Sequence, residues 1–160
     1  MARLFWRLFF PFLYFFLRVT DPFFTRLTER RGLVNSVELR VRGRRSGRER
    51  RLVLGLLAVG DRRYLGHATD RAAWTRNLTA AGEGSLVVDG GAPIHVTATP
   101  LVPGEEQDEA VRAGGRQHPF PVDVAYRRAR ASIRLDGVFF RVESPDGRPI
   151  PLPARARGDG

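Results

Sequence analysis

Hydrophobic and polar positions change period along the chain, and the changes mark out its elements. In residues 1–18, Arg3, Arg7, Pro11, Tyr14 and Arg18 follow one another at steps of four, four, three and four, which is one narrow face of a helix. The remaining circumference is leucine, phenylalanine and Trp6, wider than the stripe a soluble helix turns toward its core. The uncharged run over residues 8–17 falls well short of the ~20 apolar residues that cross a bilayer. A secretory leader fits the length better, but Arg18-Val19-Thr20-Asp21-Pro22 offers no pair of small residues for cleavage, which argues against export. The pattern predicts a helix lying in the membrane interface, arginines against lipid phosphates, or one packed on a partner subunit. Asp21-Pro22 then reads as the N-cap and first position of a second short helix to about Arg30, stopped by Gly32.

From Val37 the period becomes two. Val37, Leu39 and Val41 alternate with Glu38, Arg40 and Arg42, a half-buried strand, and residues 43–47 turn the chain. Residues 52–59 form a more continuously apolar strand ending at Gly60-Asp61, and residues 63–68 a third. Asp70 is placed to cap a short helix carrying Ala73, Trp74, Asn77 and Leu78, ended by Gly82 and Gly84. Residues 85–88 and 94–99 flank Asp89-Gly90-Gly91, a hairpin signal because consecutive residues there accept positive φ. Residues 105–113 read as a helix with acidic residues at its positive end, closed by Gly114-Gly115. Residues 122–130 fit helix and strand equally, residues 132–142 read as a hairpin about Asp136-Gly137, and the Pro/Gly/Arg-rich stretch after Ser144 reads as disordered.

About six short strands joined by tight turns, with no alternating βα pattern, predict a mainly β (α+β) antiparallel barrel with short peripheral helices. The expected organisation is an apolar helical segment at 1–31, the barrel at 32–144 and a tail at 145–160.

Composition narrows the chemistry. At 160 residues and 42% hydrophobic content there is room for one core. The absence of cysteine excludes a disulfide framework, a thiol nucleophile and a cysteine-held metal, so any redox chemistry must reside on an organic cofactor or a histidine- or carboxylate-held metal. The net charge is +10 and every basic residue is arginine. Part of that excess reflects the codon usage of a G+C-rich genome; the rest suits phosphates, nucleic acid or anionic lipid. Placement decides between them.

Seven arginines, Arg40, Arg42, Arg44, Arg45, Arg48, Arg50 and Arg51, gather around Gly43-Arg44-Arg45-Ser46-Gly47. Two glycines permit a turn with convergent backbone N–H groups, and guanidiniums add bidentate donors, so the loop suits a phosphate or polycarboxylate. It is no Walker loop, lacking the Lys-Ser/Thr pair and a following helix. The alternatives are a solvated basic hairpin or a nucleic-acid patch, and the latter is weakened because residues 40–51 hold no stacking ring. Trp74 and Asn77, three apart on one helix face, can meet a planar heterocycle or simply enter the core. His67, His95 and His118 show no metal-ligand spacing.

In order and approximate spacing, the arginine turn with Arg48-Glu49-Arg50, then Gly60-Asp61-Arg62, then Trp74-Thr75-Arg76-Asn77-Leu78 resemble the deazaflavin-dependent nitroreductase family of split β-barrel proteins, over roughly residues 35–105. The resemblance implies a split barrel binding coenzyme F420, with flavin mononucleotide (FMN) as the alternative. It assigns the cofactor's phosphate and oligoglutamate tail to Arg44, Arg45, Ser46, Arg50 and Arg51. It assigns the cofactor groove to Leu54, Gly55, Gly66, His67, Ala68 and Thr69, with Ala73, Trp74 and Asn77 near the ring or its linker. Phe120 and Tyr126 stand where the family places substrate-side aromatics.

The reaction implied is hydride transfer to a hydrophobic acceptor such as a quinone or nitro compound, with Tyr126, Tyr64 or solvent delivering the proton. An apolar first segment is also common in the family. It points to a cytoplasmic protein peripheral on the inner face of the membrane, held to anionic lipid through residues 3–18. Homodimerisation is left open. The rival classes are a non-catalytic carrier of flavin, haem or lipid, and a basic nucleic-acid-associated domain, whose binding would fall steeply with salt.

Overall fold

The structure is a computed structural model that describes residues 35–118 and 122–154. The two helices expected before Gly32, and Phe120, lie outside them. Strands β1 (Ser36–Arg42), β2 (Glu49–Val59) and β3 (Arg62–His67) precede helix α1 (Ala73–Ala81). Then come β4 (Glu83–Val87), β5 (Ile94–Pro100), helices α2 (Glu105–Gln117), α3 (Val122–Arg128) and α4 (Arg130–Asp136), and β6 (Val138–Glu143). The strands close an antiparallel barrel in the order β1-β2-β3-β6-β5-β4, with β1 paired to both β2 and β4. The expected six-stranded antiparallel barrel is therefore present.

Alternation along the strands creates two cores. One set of positions, including Leu39, Leu56, Leu65, Leu86, Val96 and Phe140, fills the barrel interior. The opposite faces of β2, β3 and β6 carry Leu57, Tyr64 and Phe139, which pack with Ala110, Val111, Tyr126 and Ile133 beneath the helices. Helix α1 sends Leu78 into the interior and packs Trp74 against it. The Tyr64 hydroxyl donates to Glu106 Oε1 at 3.1 Å, and Arg141 Nη1 reaches the same oxygen at 3.1 Å, fastening α2 to the sheet.

Several boundaries differ from the sequence expectation. Strand β2 starts at Glu49 because the backbone ladder runs on through Arg51↔Arg40, Arg50↔Val41 and Glu49↔Arg42, where the β2 side chains are exposed and impose no apolar requirement. Helix α1 starts at Ala73 after Ala72 with no side-chain cap, so Asp70 is not its N-cap. Gly114-Gly115 do not end α2: a Cβ at Gly114 would stand 2.7 Å from the Tyr126 ring, and one at Gly115 3.1 Å from Arg127, so the pair admits α3 at close range.

Residues 132–136 are helix rather than a hairpin arm. Ala125, Tyr126, Ala129 and Ile133 recur at helical spacing and all face the second core, while β6 takes β3 and β5 as its partners. Residues 145–154 are not a disordered tail either. Ile150, 3% exposed, and Leu152 join the barrel interior, Arg63 Nε donates to the Ile150 carbonyl at 3.1 Å, and Ala154 N donates to Asp89 Oδ2 at 2.7 Å. Alternating Pro149, Pro151 and Pro153 keep this strap extended while both aliphatic side chains pack.

Gly66 stands opposite Phe139 in the β3–β6 ladder, and a Cβ there would stand 2.3 Å from Phe139 Cε1, well inside contact distance of the ring. Gly66→Ala should therefore lower stability by about 1–3 kcal/mol through overpacking. A urea titration should show the midpoint falling with the slope unchanged; an unchanged midpoint would refute the packing.

Candidate functional site

The β1–β2 connection is the tight turn expected from its glycines. Gly43 N donates to Arg48 O at 2.9 Å, Gly47 N donates to Gly43 O at 2.8 Å, and Gly47 has φ +66°, a conformation that side-chain-bearing residues avoid. The turn is latched to α1. Asn77 Oδ1 accepts from Arg44 N at 3.3 Å and from Arg44 Nη1 at 3.0 Å, and Asn77 is 8% exposed.

The seven arginines are not equivalent. Arg40 is paired with Glu38 at 2.6 Å and Arg51 with Glu49 at 2.7 Å, both on the outer face of the sheet. Arg42, Arg44, Arg45, Arg48 and Arg50 have no carboxylate within ion-pair distance among the described residues. Strand alternation sends Arg50 and Arg51 to opposite faces, so these two do not act together. Ser46 Oγ, within the turn, accepts from Arg48 N at 3.4 Å.

From Asn77 the site continues along α1. Trp74, half-buried, meets His67 edge-on with centroids 6.2 Å apart and lies 6.1 Å from Phe140. His67 Nδ1 faces the amide and carbonyl of Thr69 at 3.1 and 2.9 Å, and burial lowers the imidazole's pKa below its ordinary value against the opposing pull of the Thr69 hydrogen bond. The structure thus brings Arg44, Asn77, Trp74, His67 and Thr69 into one continuous strip, with Arg45 and Ser46 at its basic end. Ala73 is exposed on the first turn of the same helix, and Leu54 packs against the barrel interior.

The other residues assigned by resemblance lie elsewhere. Gly55 and Gly66 turn to the outer face of the sheet, where His118 and Phe139 occupy the space a Cβ would take, and Ala68 belongs to the core beneath the helices. Tyr64 and Tyr126 are in that same layer: Tyr64 is bound to Glu106, with its pKa raised first by burial, and Tyr126 packs on His118 at 4.7 Å.

Sequence reasoning missed His118 as a distinctive group. Its Nε2 is buried without a hydrogen-bond partner, and burial pushes its pKa down to about 4 against the attraction of Asp123. No spacing signal marks it, because its surroundings come from Gly55 and Tyr126. Among the described residues no group of three or more His, Asp or Glu converges as a metal site, and none of their helices is long and apolar enough to cross a membrane.

Because the fold holds His118 neutral, the unfolded chain takes up a proton below pH 6.5 that the folded chain refuses until about pH 4. Stability should be flat above pH 6.5 from this group and fall by roughly 3 kcal/mol as pH drops from 6.5 toward 4. Denaturant titrations of wild type and His118→Gln at several pH values check this, and the variant should lose most of the slope over that window.

No family model matches the chain, and no curated protein matches it. Solved structures do. An F420-H2 dependent reductase (FDR-A) is 21% identical with a TM-score of 0.51, over 67% of this chain and 93% of that one. HutZ, the heme storage protein from Vibrio cholerae, is 13% identical with a TM-score of 0.52, over 75% of this chain and 88% of that one. Atu2129 from Agrobacterium tumefaciens, described as of unknown function, is 15% identical with a TM-score of 0.49; 69% of this chain is covered, but only 48% of that one. At these identities the shared property is the fold, a split β-barrel found both in a deazaflavin-dependent reductase and in a heme storage protein.

Proposed function

We propose that the chain is a deazaflavin- or flavin-dependent oxidoreductase, with F420 as cofactor and FMN as the alternative. One observation carries the reading: a glycine-bounded turn presents unneutralised guanidiniums and is latched through Asn77 to the helix that bears Trp74. Two adjoining surfaces of different chemistry fit a cofactor with an anionic tail and a planar ring. The donor set suits the tail, because Arg45 and Arg50 offer planar donors with no carboxylate to displace among the described residues and Ser46 adds a hydroxyl.

When bound, such a cofactor supplies a hydride to a hydrophobic acceptor of the quinone or nitro class. The chain's own part is positioning. Asn77 orients the Arg44 turn relative to α1, Trp74 provides an aromatic wall, and His67, neutral because it is buried, interacts through hydrogen bonds rather than charge. Proton delivery is assigned to solvent, since Tyr64 and Tyr126 are committed to the layer beneath the helices. The apolar segment with Arg3, Arg7 and Arg18 would hold the protein at an anionic membrane surface on the cytoplasmic side, where a lipid-soluble acceptor is concentrated.

A fluorescence titration with F420, with FMN as competitor, tests this on the full chain. Saturable F420 binding is expected, with affinity about 10- to 100-fold weaker in Arg44→Ala/Arg45→Ala as charge-assisted hydrogen bonds are lost. Binding unchanged in the variant would remove the turn from the site; no binding of either cofactor would overturn the reading.

A second reading, a non-catalytic haem carrier, has one observation of its own: the neutral, buried, unpartnered Nε2 of His118. A haem titration decides it. A Soret shift in wild type that His118→Ala abolishes would favour the carrier, and an identical spectrum in both would exclude His118 as the ligand.

A further inference from the structure

On the side of the turn away from Trp74, an open cleft of about 480 Å³ runs between Gly47, the end of α1 at Ala81, and the outer faces of β1, β4 and β5. Its volume is that of a small-ligand site. The Glu38↔Val87, Leu39↔Leu86, Arg40↔Ser85 register, continued two places, sets Arg42 opposite Glu83 across the β1–β4 seam. These opposite charges both line the cleft yet form no ion pair with each other.

Most other charges in the cleft are spent internally. Arg40 is held by Glu38 and Glu49 by Arg51. Arg42 has no carboxylate within ion-pair distance among the described residues, and its guanidinium lies over Gly47, with Nη2 3.5 Å from where a Cβ would be. Among the described residues Glu83 has the exposed His95 imidazole, 3.5 Å away, which is an ionic partner solely when protonated.

We propose that this cleft binds a small zwitterion, an α-amino acid or the unblocked form of a short peptide, with its carboxylate on Arg42 and its ammonium on Glu83. A simple anion would meet Glu83, and a simple cation would meet Arg42; a ligand carrying both charges complements both walls. The site shares no side chain with the strip from Arg44 to Thr69, so it stands whether or not the cofactor reading does.

The test is an NMR titration of the isotope-labelled full chain with L-alanyl-L-alanine, its N-acetyl derivative and its C-terminal amide. The free dipeptide should shift the Glu83, Gly84 and Ser85 amides saturably, and each capped form should bind about tenfold or more weakly. Arg42→Gln should reduce the free dipeptide to the affinity of the amide, and Glu83→Gln to that of the N-acetyl form; dispersed spectra will show that these surface variants fold. Equal binding of the N-acetyl form would make the cleft an anion site and overturn the proposal, as would equal shifts with both capped forms or no shift at any concentration.

Discussion

Where β2, β3 and β6 carry paired large apolar residues they must bury both faces, and the rest of the molecule is arranged by that demand. Consecutive large apolar residues, Leu56-Leu57, Tyr64-Leu65 and Phe139-Phe140, leave one of each pair outside the barrel. A fully exposed side chain of this size forfeits about 1.5–3 kcal/mol, so three such residues cannot be left to water in a domain of ordinary stability. Helices α2, α3 and α4 cover them, and the glycines at 66 and 114 remove the side chains that would hold the layers apart. The Glu106 carboxylate fixes the layer by meeting Tyr64 and Arg141 together.

The opposite wall has the complementary property. In β1 and β5, outward positions are Glu38, Arg40, Arg42, His95 and Thr97, with no apolar residue requiring cover. Among the described residues no helix layer covers that half of the barrel, and the Arg42–Glu83 cleft lies on it. The division between an apolar outer side covered by helices and a polar outer side follows from which strands alternate strictly and which do not.

Much of this division was legible in the sequence. Alternation in residues 37–42 and the continuous apolar run in residues 52–59 are different signals, and each marks the strand it should. The hairpin at Asp89-Gly90 is equally plain, and both residues do take positive φ. What was hidden required a partner distant in sequence. Ile133 reads as part of a strand until Ala125, Tyr126 and Ala129 are counted with it at helical spacing, and Gly114-Gly115 read as a stop until Tyr126 and Arg127 are seen against them. The Pro-rich strap looked like a disordered tail because composition does not reveal that the barrel has room for Ile150.

The candidate site divides in the same way. A cluster of arginines bounded by glycines is a local feature, and both the turn and its basic character were recognisable, but which arginines remain available is a question of pairing. Glu38 and Glu49 each stand two residues before an arginine on the same strand face, so each carboxylate neutralises its near neighbour and silences Arg40 and Arg51. The arginines in or flanking the turn have no acid at that spacing on their own face. Arg44 finds instead the neutral amide of Asn77, thirty-three residues on, which orients the guanidinium without cancelling its charge. A carboxylate at position 77 would have fixed the turn more firmly and abolished part of its attraction for anions; an amide separates the two effects. The turn is therefore both rigidly placed and still positively charged, which is the combination that recognition of a phosphate or polycarboxylate requires.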